Sequence, residues 1–305
     1  MQIAIMGSGA LGAILGGGLQ AAGADVLFIA RGAHLQAFRE KGLQVTGSFG
    51  DLHLPQVHAT DNPAGQPAAD MVVFTVKGPD TEAAAELIRP LVAPHTGIVS
   101  FQNGVIGIDI LAERYGPGAV LAGTTLVSGQ IEAPGIIRRS NQVNLFNFGE
   151  WNGEISPRAR DFQGWLEKAG FQATISAASL VDVWTKMTQM ASCAAICAIS
   201  RLPLRTCVQV PETRALMGEA MAEIIALAKV RGITVAGDVP EKAMTFCETI
   251  DPAWRTSMGH DLEAGKMIEV ESLSGAIHRL GHQLGVPTPV HSTAYRALKY
   301  YATPY

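Results

Sequence analysis

Short apolar runs alternate with longer helical patterns through the first half of the chain. Gln2–Met6 is a compact apolar run ending at Gly7, Leu11–Ala22 is long enough for a helix closed by Gly23, and Asp25–Ala30 reads as a second buried strand. Strand, glycine turn, helix and strand within about 30 residues form a βαβ unit, whose parallel strands need both faces covered. Further strands are predicted over 70–76, 98–101 and 120–122, with helices over 80–91 and 108–115, so the alternation argues for a doubly wound sheet. Residues 43–57, with Gly47, Gly50 and Asp51 between alternating runs, predict a hairpin insert. Residues 136–139 and 143–148 predict antiparallel additions, followed by a helix over 157–169 and a last strand over 172–175.

After about residue 177 the strand pattern fades. Long helical patterns take over at 180–199, 211–231, 238–250 and 268–285, with a final helix over 290–301. The expected fold class is therefore α/β, with a doubly wound sheet over residues 1–177 and an all-helical domain over 178–305.

Composition narrows the function classes. The chain has 305 residues, of which 48% are hydrophobic and only 16% charged, against a usual charged share of about 25%, which excludes disorder. A formal net charge of −4 leaves no basic excess for nucleic acid or an anionic membrane, so neither is expected as a partner. Four cysteines, at 193, 197, 207 and 247, are too few for a disulfide framework, and a cytoplasmic location is expected. Although no charge occurs between Met1 and Ala24, that stretch lacks a basic flank and is broken by glycines, so it reads as strand, turn and helix rather than a secretion signal. The most apolar run, 190–199, is shorter than the ~20 residues needed to cross a bilayer. Apolar residues of the C-terminal helices serve either a monomer core or a subunit interface, with a homodimer slightly favoured.

Chemistry enters at Gly7-Ser8-Gly9-Ala10-Leu11-Gly12, a GxGxxG turn between the first strand and helix. The first glycine allows the tight turn, the second lets backbone approach a pyrophosphate, and the third allows close helix–strand packing, while the helix N-terminus offers free N–H groups. Dinucleotide sites for NAD place a carboxylate about 20 residues further on. Here that place holds Arg31, whose guanidinium suits a 2'-phosphate, so NADP(H) is expected over NAD(H). Lys77 and Gln102-Asn103-Gly104 follow predicted strands at their carboxyl ends, where open α/β sheets bind ligands. Lys77 is a candidate for cofactor phosphate or ribose, and Asn103 for a bridge between cofactor and substrate.

Two charges fall on apolar helical lines. Glu269 lies one turn before Leu273, Ala276, Leu280 and Leu284, so on a helix over 268–285 it faces inward. A carboxylate turned towards a core is costly unless something binds it. Lys186 is the only charge between Asp182 and Arg201 and shares a line with Met190, Cys193, Ala194 and Cys197. A partly desolvated lysine is a plausible proton donor in carbonyl reduction, stabilising the forming alkoxide as it does so. Cys193 and Cys197 lack a third ligand or a base, and His278 and His282 lack the glutamate of HExxH; no metal is expected.

In order and spacing, Gly7–Gly12, Arg31-Gly32, Lys77, Gln102-Asn103-Gly104, Lys186, and a Ser257-Met258-x-x-Asp261 start followed by Glu269 resemble the ketopantoate reductase (2-dehydropantoate 2-reductase) family across nearly the whole chain. The resemblance implies an N-terminal Rossmann-like NADP-binding domain and a helical substrate domain, reducing 2-dehydropantoate to pantoate with NADPH for pantothenate synthesis. It implies Lys186 as proton donor, Glu269 orienting ligand and cofactor ribose, and Asn103 and Ser257 holding substrate. The pattern departs at Met190 and Ala194, where the family usually has asparagines, and at Leu204, another commonly polar place. Apolar groups cannot replace those hydrogen bonds. Arg201, Arg205 or Gln189 would then anchor a carboxylate, giving as an alternative a larger or less polar 2-oxo acid or another carbonyl or hydroxy substrate; separately, because a fold does not fix function, an NADP(H)-binding sensor without turnover stays open.

Overall fold

The computed structural model describes residues 1–47 and 50–302. The chain forms two compact units: Met1–Gln102 with Gly107–Ser179, and Asn103–Ile106 with Leu180 onwards. Asn103–Ile106, inside the αβ half of the sequence, thus groups with the helical half.

The first unit runs β1 (Gln2–Met6), α1 (Ala10–Ala21), β2 (Asp25–Ile29), α2 (Gly32–Lys41), β3 (Leu43–Gly47), β4 (Leu52–Leu54), β5 (His58–Thr60) and β6 (Met71–Phe74). It continues with α3 (Thr81–Leu87), β7 (Gly97–Ser100), α4 (Ile106–Tyr115), β8 (Val120–Thr125), β9 (Gly129–Ala133), β10 (Ile136–Arg139), β11 (Leu145–Glu150), α5 (Pro157–Lys168) and β12 (Gln172–Ile175). Eight strands form one sheet in the order β12-β11-β8-β7-β6-β1-β2-β5. All its pairings are parallel except β11 on β8. The strands β1, β6 and β7 are buried almost throughout, as expected for parallel strands covered on both faces.

A second sheet, β4-β3-β10-β9, was not foreseen as such. The expected hairpin is present as β3 against β4, with residues 48 and 49 outside the described residues. The strand over 136–139, expected as an antiparallel addition, is antiparallel to β9 but parallel to β3. Its role explains the uncharged, glycine-rich α1. A Cβ on Gly16 would meet Phe28 and Ile5 of the large sheet, while one on Gly17 would meet Leu43 and Leu52 of the small one. With a sheet on either side, α1 has no face left for charge.

Behind the sheet, Phe146 packs edge-to-face on Phe101 and Phe171, and Phe148 does so on Phe101 and Phe162. Each such buried ring contributes about 1.5–3 kcal/mol. Helix α5 begins where Ser156 Oγ accepts from the Ala159 N–H at 3.2 Å, with Pro157 in the first turn.

The second unit is helical: α6 (Ser179–Ser200), α7 (Leu204–Gln209), α8 (Pro211–Val230), α9 (Val239–Thr249), α10 (Ser257–Glu263), α11 (Ser274–Leu284) and α12 (Pro289–Leu298). Cys193, Ile196, Met217, Met221 and Met244 centre its core. All four cysteines are buried thiols, Cys193 Sγ lying 4.0 Å from Cys247 Sγ and Cys197 Sγ 3.9 Å from Cys207 Sγ. Glu223 is buried and caps α12, its carboxylate accepting from the Val290 N–H at 2.6 Å and the His291 N–H at 3.0 Å. No helix among the described residues is long and apolar enough to cross a membrane.

The expected helix over 268–285 needs correction. Helix α11 starts only at Ser274, and Glu269 lies before it in a series of turns. The Glu269 carbonyl accepts from both the Ser272 and Leu273 N–H groups, while the Ile268 N–H donates to the Tyr301 carbonyl at 3.1 Å. The helical ladder is broken at Leu273, whose φ of −103° and ψ of −98° lie outside the helical region, and beyond it the Gly275 N–H reaches five residues back to the Val270 carbonyl at 2.8 Å.

Candidate functional site

The glycine turn follows directly from β1. Gly7 has φ +97°, a conformation that side chains rarely adopt, and its carbonyl accepts from Thr75 Oγ1 at 2.8 Å. A Cβ on Gly12 would come within 2.3 Å of the Gly7 carbonyl oxygen, so α1 closes on the turn only because that side chain is absent. Above Gly9 the situation is opposite. A Cβ there would meet nothing within 4 Å, and no side chain caps the N-terminus of α1. Open space over uncapped N–H groups fits a pyrophosphate held by the backbone of Gly9, Ala10 and Leu11. Ser8 turns the other way: it is buried, with its Oγ donating to the Ile29 carbonyl at 3.0 Å, so its hydroxyl ties the turn to the end of β2.

Arg31 is exposed and precedes α2. Lys77 is exposed at the head of a short 3₁₀ turn, Gly78–Asp80. Gln102 anchors this loop, donating from Nε2 to the Val76 carbonyl at 3.0 Å and to Thr81 Oγ1 at 2.9 Å. Thr75 and the anchoring role of Gln102 were not singled out from sequence; hydroxyl and amide groups at strand ends beside a glycine turn were the available signal.

In the helical unit, Lys186 Nζ donates to Asn103 Oδ1 at 3.1 Å. Asn103 is carried there by Gly104, which has φ +94° and approaches so closely that a Cβ would lie 2.8 Å from the Ser272 carbonyl oxygen. The same turns carry Glu269, half-buried. Burial lowers the Lys186 pKa from 10.5 to about 8, and the Glu269 carboxylate opposes that shift by favouring the ammonium form. The structure thus brings Lys186, Asn103 and Glu269 together. Ser257 is exposed in the first turn of α10, a helix capped by Thr256, whose Oγ1 accepts from the Gly259 N–H at 3.2 Å.

Ala194 and Leu204 are buried at 3% and 2% exposure, and Leu204 belongs to the helical core; Met190 is half-buried. Arg201 is exposed with φ +62°, and its carbonyl accepts from Arg255 Nη1 at 2.9 Å. His278 bonds through Nδ1 to Ser292 Oγ at 2.8 Å and stacks on Tyr295. Among the described residues no group of three or more His, Cys, Asp or Glu side chains could hold a metal ion.

Comparison with known proteins bears on both units. The family model described as "Ketopantoate reductase PanE/ApbA" matches residues 3–153, and that for the family's C-terminal region matches residues 180–302. A 2-dehydropantoate 2-reductase of Mesorhizobium japonicum is 30% identical over 95% of this chain and 94% of its own. The crystal structure of a PanE/ApbA family ketopantoate reductase from Ralstonia eutropha JMP134 superposes with a TM-score of 0.87 at 29% identity, covering 99% of this chain and 98% of that one. A D-mandelate dehydrogenase, solved with NADH and anilino(oxo)acetate, has a TM-score of 0.86 at 22% identity over 99% of this chain and 98% of its own, a likeness of fold alone. With both halves matched in order and a relative aligned nearly end to end, the chain belongs to the ketopantoate reductase family of oxidoreductases.

Proposed function

We propose that this protein uses NADPH to reduce a 2-oxo acid to the 2-hydroxy acid, with 2-dehydropantoate the first substrate to test and Lys186 the proton donor. The observation that carries the reading is a lysine on an apolar helix line, bonded to Asn103 at 3.1 Å and depressed by burial to a pKa of about 8. An ordinary lysine is too weak an acid to give up its proton readily at neutral pH; one shifted towards the working range is a better donor while still charged. Glu269 keeps that charge in place by favouring the ammonium form. Asn103 accepts from the ammonium through Oδ1, which leaves its amide N–H groups for a substrate oxygen. Ser257 offers a further hydroxyl for the substrate.

The cofactor's nicotinamide would supply the hydride. The backbone of Gly9, Ala10 and Leu11 would hold the pyrophosphate on the turn that Gly7 and Gly12 allow, with Ser8 bracing that turn from behind through its bonds to Ile29, while Arg31 would hold the 2'-phosphate and Lys77 phosphate or ribose. Glu269 would also orient the ribose. A second reading, a bulkier or less polar carbonyl substrate, is favoured by the apolar side chains at Met190 and Ala194, one and two turns beyond Lys186 on α6, whereas Leu204 packs into the helical core and bears on neither reading.

The test is NADPH consumption by the purified protein with 2-dehydropantoate and a panel of larger 2-oxo acids, alongside Lys186→Ala. The variant should lose about 10²–10⁴-fold in kcat while still binding NADPH. Undiminished turnover by Lys186→Ala would overturn the assignment, and turnover only with larger substrates would select the second reading. A protein that binds NADPH but reduces none of the panel would favour a sensor.

A further inference from the structure

Arg31 is already engaged. Its Nη2 donates to Asp80 Oδ2 at 2.7 Å. The two residues are 49 positions apart in sequence, and the sheet brings them together: β2 and β6 flank β1, so the loops leaving their carboxyl ends are neighbours.

Asp80 is also held in its turn. Its N–H donates to the Lys77 carbonyl at 3.0 Å, and Thr81 Oγ1 donates to the Gly78 carbonyl at 2.8 Å. Gln102 fastens both ends of that turn, through the Val76 carbonyl and Thr81. The carboxylate is therefore presented to Arg31 by a braced loop. The Arg31 side chain is 82% exposed and that of Asp80 44%, so the guanidinium keeps donors facing solvent and the carboxylate is within reach of whatever binds there. So exposed a pair adds little to folding. Its consequence falls on the ligand.

A 2'-phosphate on Arg31 would compete with Asp80 for the same guanidinium and meet a charge of its own sign. An unphosphorylated ribose would meet no repulsion, and its 2'-hydroxyl can donate to the carboxylate. We propose that Asp80 is a specificity-determining residue that narrows the preference for NADPH over NADH by repelling the 2'-phosphate and accepting a hydrogen bond from the 2'-hydroxyl. The proposal rests on the reading above that Arg31 lies at the ribose of a bound dinucleotide.

The experiment is a titration of NADPH and NADH against the full-length protein and its Asp80→Asn, Asp80→Ser and Arg31→Ala variants, at low and high salt. Both Asp80 variants should raise the ratio of NADPH to NADH affinity by about five- to tenfold, the scale of exposed charges a few ångströms apart, and the gain should shrink at about 1 M salt. A merely structural role would move both affinities together and would not respond to salt. An unchanged or lowered ratio in both Asp80 variants overturns the proposal. If Arg31→Ala leaves NADPH affinity unchanged, the underlying reading falls, and the proposal falls with it.

Discussion

Lys186 gives the reaction a pH dependence that an ordinary lysine would not. Its pKa in the free protein is lowered from 10.5 to about 8, burial being the larger cause and Glu269 the opposing one. If its ammonium supplies the proton for reduction, kcat/KM follows the protonated fraction of the free enzyme, which falls from about nine-tenths near pH 7 to about one-tenth near pH 9. The expected loss is therefore about tenfold across that interval, whereas a lysine at its ordinary pKa would show almost none. Glu269→Gln removes the charge that favours the ammonium form, so the falling limb should move to lower pH. The assay is the initial rate of NADPH consumption at low substrate concentration in buffers of constant ionic strength, for the native protein, Glu269→Gln and Lys186→Arg. Arginine does not titrate in this range, so the last variant, slow as it will be, should show no such limb. A native profile flat to about pH 10, or a limb that Glu269→Gln leaves in place, would refute the argument.

The same lysine affects stability with a sign that can be checked. Because its folded pKa lies below its unfolded one, the unfolded chain binds more protons between about pH 8 and 10.5, and the cost of burying the ammonium is fully present below that window and relieved as pH rises through it. Lys186→Met should therefore stabilise the protein at neutral pH by up to about 3 kcal/mol, with no such gain above the window, as read by urea unfolding at both pH values. Gly12→Ala forces a Cβ against the Gly7 carbonyl and should lower stability by about 1–3 kcal/mol in thermal unfolding. Gly9→Ala, into open space, should leave stability within about 0.5 kcal/mol yet weaken NADPH binding at least tenfold, and normal binding would remove the pyrophosphate from this turn. Arg158 grips the buried Glu150 through two bonds of 2.7 and 2.6 Å, so Arg158→Ala should cost about 3–5 kcal/mol in denaturant unfolding, and a cost under 1 kcal/mol would contradict the expected burial penalty.

The sequence alone determined the features that local chemistry enforces. Apolar runs at Gln2–Met6 and Asp25–Ile29 around a glycine turn specify β1, α1 and β2, because a strand covered on both faces and a tight turn leave few other residue choices. The long helices α6 and α8 and the lone charge at Lys186 were legible for the same reason: helical period reveals which residues share a face. What covers that face is a tertiary matter. Only the fold decided that β3 and β10, far apart in sequence, pair in parallel and enclose α1, and that Asn103 leaves the αβ unit to meet Lys186. It likewise made the expected helix start late, at Ser274, because the backbone leaves helical geometry at Leu273, so Glu269 lies in the turns before the helix instead of on its face. Ser8 turning inward and Asp80 meeting Arg31 arise from the order of neighbouring strands. Periodicity records burial along a segment, whereas hydrogen-bond partners and charge pairs are set by segments that become neighbours only when the chain has folded.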